Sequence, residues 1–267
     1  MPAMPADYAQ RYGPWALVTG ASSGLGAEFA RQLGARGLNV ILVARRRDRL
    51  DALTADIERD SGVDTRVVEL DLTDAGAPDA IAAAIADLEI GLLVNNAGFG
   101  EKGDFFEIPL AQQLRMVELN CKAPVWLTHT VGGAMLARGR GGIIVVASTG
   151  AFQGLPFSAV YGATKGFDLQ LGAGLWYELR GRGVDVLSVC PGPTDTEGPR
   201  RTGVNADKVP VKMMPVEPVV ALALDKLGKR MSVVPGLANK TASWLTRLLP
   251  RSVAARIAGR MIQRVSE

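Results

Sequence analysis

The 267-residue chain has one histidine, two cysteines, no low-complexity tract and no long apolar run. Each absence removes a class of function. No stretch reaches the ~18–20 apolar residues that a membrane span needs. Cys121 and Cys190 sit in apolar stretches without metal-ligand or redox spacing, so they read as buried free thiols in a reducing compartment, with no metal site. The opening "MPAMPADYAQRYGP" has neither a basic n-region nor an apolar h-region, so no secretory signal is read there and a cytoplasmic location is expected. Without such a signal, the acceptor pattern Asn239-Lys240-Thr241 carries no glycosylation meaning. The net charge of +3 does not make this a basic protein throughout. Residues 240–267 hold six basic side chains and one acid, and setting them aside leaves 24 basic against 26 acidic residues, near −2. A basic tail on a balanced body gives no support to nucleic-acid binding.

What is present is a globular composition, 48% hydrophobic and 21% charged, long enough for one large α/β domain over residues 1–267. Short runs rich in Val, Ile and Leu predict strands at Trp15–Thr19, Asn39–Val43, Arg66–Leu70, Leu92–Asn95, Ile143–Ala147, Val184–Val189 and Ser232–Val234. Most lack polar alternation, as strands covered on both faces do. Helical patterns lie between them, such as Leu25, Phe29 and Leu33 spaced by four, and a helix is expected over Leu110–Leu136. The alternation calls for a parallel sheet with right-handed crossovers and helices on both sides. Such sheets bind ligands beyond the carboxyl ends of their strands. His129 lies away from every strand end and reads as structural; Trp15, Trp126 and Trp176 read as packing residues.

The unusual residues cluster at those ends. The first strand runs into "TGASSGLG", Thr19 to Gly26, and directly into a helix. Gly20 permits a tight turn, Gly24 a close ligand approach and Gly26 close helix–strand contact. Backbone N–H groups around Ser22, Ser23 and Leu25 would then face a pyrophosphate at the positive end of the helix. The second strand ends in "VARRRDR", where an acid would serve a ribose 2′-hydroxyl. Arg45 and Arg46 stand there instead, suited to bidentate bonds with a 2′-phosphate, whereas Arg47 and Arg49 read as solvated. Finally, "YGATK" puts Tyr161 and Lys165 one helical turn apart on one face. A phenol with a reference pKa near ~10 is a poor acid at neutral pH unless its anion is stabilised, and an adjacent ammonium does this. Ser148, just after the fifth strand, could donate to an oxygen that gains negative charge.

Taken in order, "TGASSGLG", "DLTD" (Asp71 to Asp74), "NNAG" (Asn95 to Gly98), Asn120, Ser148, "YGATK" and "PGPTDT" (Pro191 to Thr196) resemble the marks of the classical short-chain dehydrogenase/reductases. The resemblance runs from about Trp15 to at least Thr196. It implies a Rossmann-type, doubly wound parallel sheet of about seven strands with helices on both faces, and hydride transfer between NADP(H) and a carbonyl or alcohol. It makes Tyr161 the general acid, gives Lys165 the nicotinamide ribose hydroxyls as well, and makes Asn120 the holder of a water in a proton relay to Lys165. Asp71, with Leu72 beside it, would accept from the adenine amino group, although a capping aspartate reads equally from the residues alone. Asn96, Ala97 and Gly98 would line the adenosine ribose. Pro191, Gly192, Thr194 and Thr196 would turn over the nicotinamide. A homodimer or homotetramer is expected, acting on a ketone or aldehyde with a sizeable apolar part. An alcohol, hydroxysteroid or 3-hydroxy acid dehydrogenase, and a non-catalytic NADP-binding sensor, are the competing readings.

Three segments fall outside the core of the resemblance: an N-terminal extension (1–14), a substrate lid (197–218) and a basic tail (240–267). Met213 and Met214 in the lid suit an adaptable apolar pocket. In the tail, Val253, Ile257, Met261 and Val265 recur every four residues, with Arg256, Arg260 and Arg264 on another face. This amphipathic basic helix could pack on its own domain, complete a dimer, cover the substrate entrance or rest on an anionic membrane; packing on protein is the favoured expectation.

Overall fold

The computed structural model describes residues 7–198 and 213–266. Its first half runs α1 (Asp7–Tyr12), β1 (Trp15–Thr19), α2 (Gly24–Gly34), β2 (Asn39–Ala44), α3 (Arg47–Ser61), β3 (Thr65–Glu69), α4 (Ala77–Ala84) and β4 (Ile90–Asn95). Then come α5 (Leu110–Val117), α6 (Ala123–Arg138), β5 (Gly141–Val146), α7 (Ala159–Leu179), β6 (Val184–Val189), α8 (Val216–Lys226) and β7 (Ser232–Val233), followed by α9 (Leu237–Leu248) and α10 (Arg251–Ser266). The seven strands form one parallel sheet in the order β3-β2-β1-β4-β5-β6-β7. The order reverses between β1 and β4, which opens a crevice beyond their carboxyl ends.

Alternate residues of each strand feed two cores. Val18, Leu42, Val94 and Ile144 pack with Phe29 and Leu33 of α2, Leu53 of α3 and Val220 of α8. Leu17, Ile41, Leu93 and Ile143 face the other way, against Ile81 of α4 and Leu127 and Val131 of α6. Because both faces are covered, the strands show no polar alternation, which is why they were legible as apolar runs. Trp15, Trp126 and Trp176 pack at the margin of the second core, and His129 is exposed on α6.

Some expectations are refined by the structure, and one falls largely outside the described residues. The helix predicted over 110–136 runs unbroken from Leu110 to Arg138, but a π-turn at Glu118–Lys122 divides it into α5 and α6. Asn120 sits in that turn and is fully buried, its side chain bonded outward to neighbouring elements. Such bulges mark places where a side chain is re-aimed at the expense of regular helix. In the described part of the N-terminal extension, Tyr8 and Ala9 pack against the first core, Tyr12 is buried in it, and the Tyr12 hydroxyl donates to Asp185 Oδ2 at 2.7 Å. The predicted lid lies outside the described residues over 199–212, and its last residues, Val216–Pro218, form the first turn of α8. Met214 is not loose: it forms a parallel bridge with Thr194 and packs against the first core.

The tail is two helices, and α10 does pack on its own domain, but through a different face. Ala254 and Ala258 are buried and Gly259 faces Pro156, whereas Ile257 and Met261 remain 45% and 44% exposed. Small residues allow α10 to approach the 153–157 loop closely, and Ile257 and Met261 are turned outward.

Candidate active site

The loop after β1 is held by its neighbours before any ligand arrives. Asn96 Nδ2 donates to Thr19 O at 2.8 Å, and the N–H groups of Asn96 and Ala97 both donate to Thr19 Oγ1 at 3.0 Å. Asn96 is thus a brace for the glycine turn, with its amide spent on backbone. A β-carbon at Gly26 would stand 2.2 Å from Gly20 O and 2.6 Å from Asn96 Nδ2, so only glycine lets α2 start this close to the sheet. Thr196, from the turn after β6, comes up to Gly24 at the first residue of α2. Gly20, Ser22, Ser23, Gly24 and Leu25 therefore form a shallow cradle at a helix N-terminus, roofed by Thr196. This cradle, which a side chain at position 26 would destroy, fits the pyrophosphate of a dinucleotide.

The rim beside the cradle is charged. Arg46 Nε and Nη2 donate to Ser22 Oγ at 3.1 and 3.0 Å, and Nη2 also donates to Ser23 Oγ at 2.8 Å. Its Nη1 meets Glu197 Oε2 at 2.8 Å, and Arg49 bonds the other oxygen of the same carboxylate. Arg49 thereby belongs to the rim and is not simply solvated. The two guanidinium groups, Arg49 foremost, hold the Glu197 carboxyl down to about 2. Arg45 diverges from Arg46 and lies 3.5 Å from Asp71 Oδ2, which Arg115 of α5 approaches to 2.5 Å. Asp71 Oδ1 accepts from Thr73 N–H and Oγ1 at 3.0 and 2.7 Å, the capping arrangement that its residues alone allowed. Burial pushes this carboxyl up, but the Thr73 bonds and Arg115 outweigh it and hold it below the ordinary range. Leu72 beside it is buried in the second core.

Beyond the other strand ends lies the group expected to do the chemistry. Lys165 is buried on α7, and its Nζ donates to Val146 O at 2.8 Å and Asp168 Oδ2 at 2.9 Å. An ammonium has three donors, so one remains for a ligand. Burial pushes Lys165 down, but Asp168 and, more weakly, Tyr161 reverse this and keep the ammonium above its ordinary value. Burial raises the Asp168 carboxyl against the pull of Lys165, and its Oδ1 has no partner among the described residues. Asn120 Nδ2 donates to Phe99 O at 2.9 Å and Thr164 Oγ1 at 3.0 Å, while its Oδ1 accepts from Phe99 N–H at 3.1 Å. Both amide donors are used, leaving Oδ1 as the only open atom. A β-carbon on Gly98 would stand 3.0 Å from that oxygen and 3.4 Å from Lys165 Nζ, so glycine there lets the two groups share one wall. Ser148 Oγ accepts from Gly150 N–H at 3.1 Å, which fixes the oxygen and leaves its hydrogen to donate. Tyr161 is half-buried and lines a cavity with Glu101, Phe105, Met116 and Phe157.

Two supports were not foreseen. Asn239 of α9 is only 5% exposed, donates to Pro235 O at 3.1 Å, and packs so closely on Gly192 that no side chain fits there. Arg247, also on α9, stacks over Phe152 with 4.4 Å to the ring centroid. The helix α9 thus steadies both the Pro191–Gly192 turn and the short helical turn Thr149–Phe152 that follows Ser148. Pro191 O accepts from Thr149 N–H at 2.8 Å, and Thr194 Oγ1 donates to Gly192 O at 2.9 Å. Thr196 Oγ1 lies at the 3.5 Å limit from Thr194 O. Asparagine and arginine on a tail helix give no sequence signal for such bracing. The inaccessible amide of Asn239 also removes it as a glycan acceptor.

A glycine cradle at the sheet's switch point, a serine at the end of β5 and a tyrosine and lysine one turn apart on α7 are the features of an oxidoreductase of the dinucleotide-binding type. The family model for short chain dehydrogenases matches residues 14–205, and the chain belongs to that family. It is 31% identical over 234 residues to a 7beta-hydroxysteroid dehydrogenase of Collinsella aerofaciens, covering 86% of this chain and 89% of that protein. A solved structure from work on 7beta-hydroxysteroid dehydrogenase stereoselectivity superposes with a TM-score of 0.87 at 28% identity, covering 94% of this chain and 98% of that one. A short-chain dehydrogenase from Sphingobium yanoikuyae in complex with NADPH gives a TM-score of 0.80 at 35% identity, with 88% and 94% covered.

Proposed function

We propose that this enzyme uses NADPH to reduce the carbonyl of a ketone or aldehyde with a sizeable apolar part, a reaction reversible in principle. The observation that carries this reading is the buried Lys165 ammonium, one turn from Tyr161 and held with a single donor to spare. NADPH, when bound, supplies the hydride. The chain's own residues handle the oxygen: Tyr161 gives it a proton, and Ser148 donates a hydrogen bond as negative charge develops. Lys165 stands one helical turn from Tyr161 and offers its third N–H to the nicotinamide ribose. With Asn120's donors used, its open oxygen is the atom that would orient a relay water beside Lys165. Arg46, with Ser22 and Ser23, supports NADPH over NADH, in keeping with the NADPH complex of the Sphingobium relative. Arg45 would serve the adenine side with Asp71.

A second reading follows from the Collinsella relative: a hydroxysteroid dehydrogenase working in the oxidative direction on the same apolar substrate class. Self-association is part of the proposal, because Leu110, Leu114 and Val117 leave one face of α5 exposed to solvent. A cytoplasmic setting agrees with two unbonded cysteines, and among the described residues no helix is long and apolar enough to cross a membrane. The test is turnover of a panel of bulky ketones with NADPH, and of bulky alcohols with NADP, followed by cofactor absorbance. Consumption of NADPH only with apolar ketones supports the reductase; faster NADP reduction by a hydroxysteroid supports the second reading.

A further inference from the structure

One carboxylate in the cofactor region has no place in the reaction. Glu197 follows Thr196 directly, at the end of the "PGPTDT" turn, and both of its oxygens are taken by arginines of the β2 end. Arg46 uses Nη1 for Glu197 while its other edge holds Ser22 and Ser23, the loop residues nearest the start of α2. A guanidinium bound on one edge by serine hydroxyls and on the other by an anion is the geometry that a phosphate would find. Here the chain supplies that anion itself.

We propose that Glu197 is an internal stand-in for the 2′-phosphate, a carboxylate that NADPH must displace from Arg46 and Arg49 and that NADH leaves in place. This rests on the NADPH reading above. A terminal phosphate carries ~−1.5 to −2 charge near neutral pH and three acceptor oxygens, against −1 and two for a carboxylate. It therefore wins the shared donors, but only by the difference between the two ligands. NADPH affinity is tempered, which favours release of the spent cofactor, and the charged rim is neutralised when no cofactor is bound. A 2′-hydroxyl carries no charge with which to compete for a guanidinium. The carboxyl is ionised across the whole neutral range, so pH acts on the competition there only through the charge of the phosphate.

The experiment is equilibrium binding of NADPH and of NADH to the full chain, read by nicotinamide fluorescence, for wild type, Glu197→Gln and Glu197→Ala. Melting curves confirm that each variant is folded. Both pairs are about one-third exposed, which places the competition on the scale of surface ion pairs. NADPH should bind about three- to tenfold tighter to both variants, with NADH changed less than twofold. In an Arg46→Ala, Arg49→Ala background, Glu197→Gln should no longer tighten NADPH, because both shared donors are gone. Unchanged or weaker NADPH binding in Glu197→Gln overturns the proposal and leaves the reductase reading standing. Equal tightening of NADPH and NADH also overturns it, by showing a general charge effect. Failure of wild type to bind NADPH at all would remove the cofactor assignment and this proposal together.

Discussion

The reaction centre and the cofactor rim are both built on ion pairs, yet they are opposite in kind. Lys165 and Asp168 are 8% and 2% exposed, while Arg46 and Glu197 are 29% and 35% exposed. A buried pair that loses one partner strands an uncompensated charge and costs about 3–5 kcal/mol, whereas a half-exposed pair contributes ~0.2–1 kcal/mol. The geometry proposed to move a proton is thus fixed by the fold, and the contacts proposed to select a cofactor can exchange partners with little loss. Catalysis gains from preorganisation, and cofactor turnover gains from ligands that can leave.

The sharpest way to break this contrast is at the buried pair. Asp168→Asn should lower stability by about 3 kcal/mol, read as a lower denaturant midpoint. It should also move the pH profile. In wild type the raised Lys165 value means that the pair's contribution is present below the ordinary lysine range and is lost only as pH rises through the raised value. Without Asp168, burial is opposed only by Tyr161 and Cys121 and pushes the ammonium down, so the alkaline fall of kcat/KM should move to lower pH. Tyr161, Cys121 and Cys190 are the other titrating groups around the pair, and a Cys121→Ser, Cys190→Ser background isolates the effect. An alkaline limb unmoved by Asp168→Asn would show that Asp168 is not the counter-ion. Next in size, Tyr161→Phe removes only a hydroxyl and should cut reduction at least ~100-fold, the scale of a lost general acid, with NADPH binding retained. Near-normal turnover in that variant would remove Tyr161 from the mechanism.

At the rim, Arg46→Ala should weaken NADPH by about 1.5–3 kcal/mol and NADH far less, measured by paired titrations. Arg45→Ala should do less harm to NADPH than Arg46→Ala, since Arg45 faces Asp71. Equal loss for both cofactors would take Arg46 away from the 2′-phosphate. The smallest effect belongs to the tail. Truncation before Arg251 uncovers Pro156 and loses the burial of Ala254 and Ala258, worth about 1–2 kcal/mol. A truncated protein that melts normally but no longer binds anionic vesicles would make α10 a membrane-surface element instead.

The sequence was most informative where backbone demands decide the residue. The β1 and β6 boundaries agree with the strand pattern to the residue, since apolar runs covered on both faces leave little else to be. The glycine loop, Ser148 and the Tyr161–Lys165 spacing were legible because a turn, a strand end and a helix period place them. Side-chain direction was not legible. Arg45 and Arg46 are adjacent, yet one turns to Asp71 and the other to Ser22, and only tertiary neighbours determine which. Arg49 looked solvated because its partner, Glu197, is 148 positions away in the chain. The tail pattern predicted an amphipathic helix correctly but the wrong contact face, because close packing on Pro156 selects small residues over large ones.

Tyr161, Ser148 and Lys165 are proposed to serve a hydride transfer to a carbonyl. The direct measurement uses NADPH carrying deuterium at the transferable position of the nicotinamide, a bulky apolar ketone, and mass analysis of the product. The expected result is deuterium on the carbinol carbon of the alcohol, one per NADPH consumed, and at least ~100-fold less of it with Tyr161→Phe over the same interval. NADPH that binds tightly yet stays intact with every ketone and aldehyde offered would contradict it and leave a protein that holds the cofactor without using it.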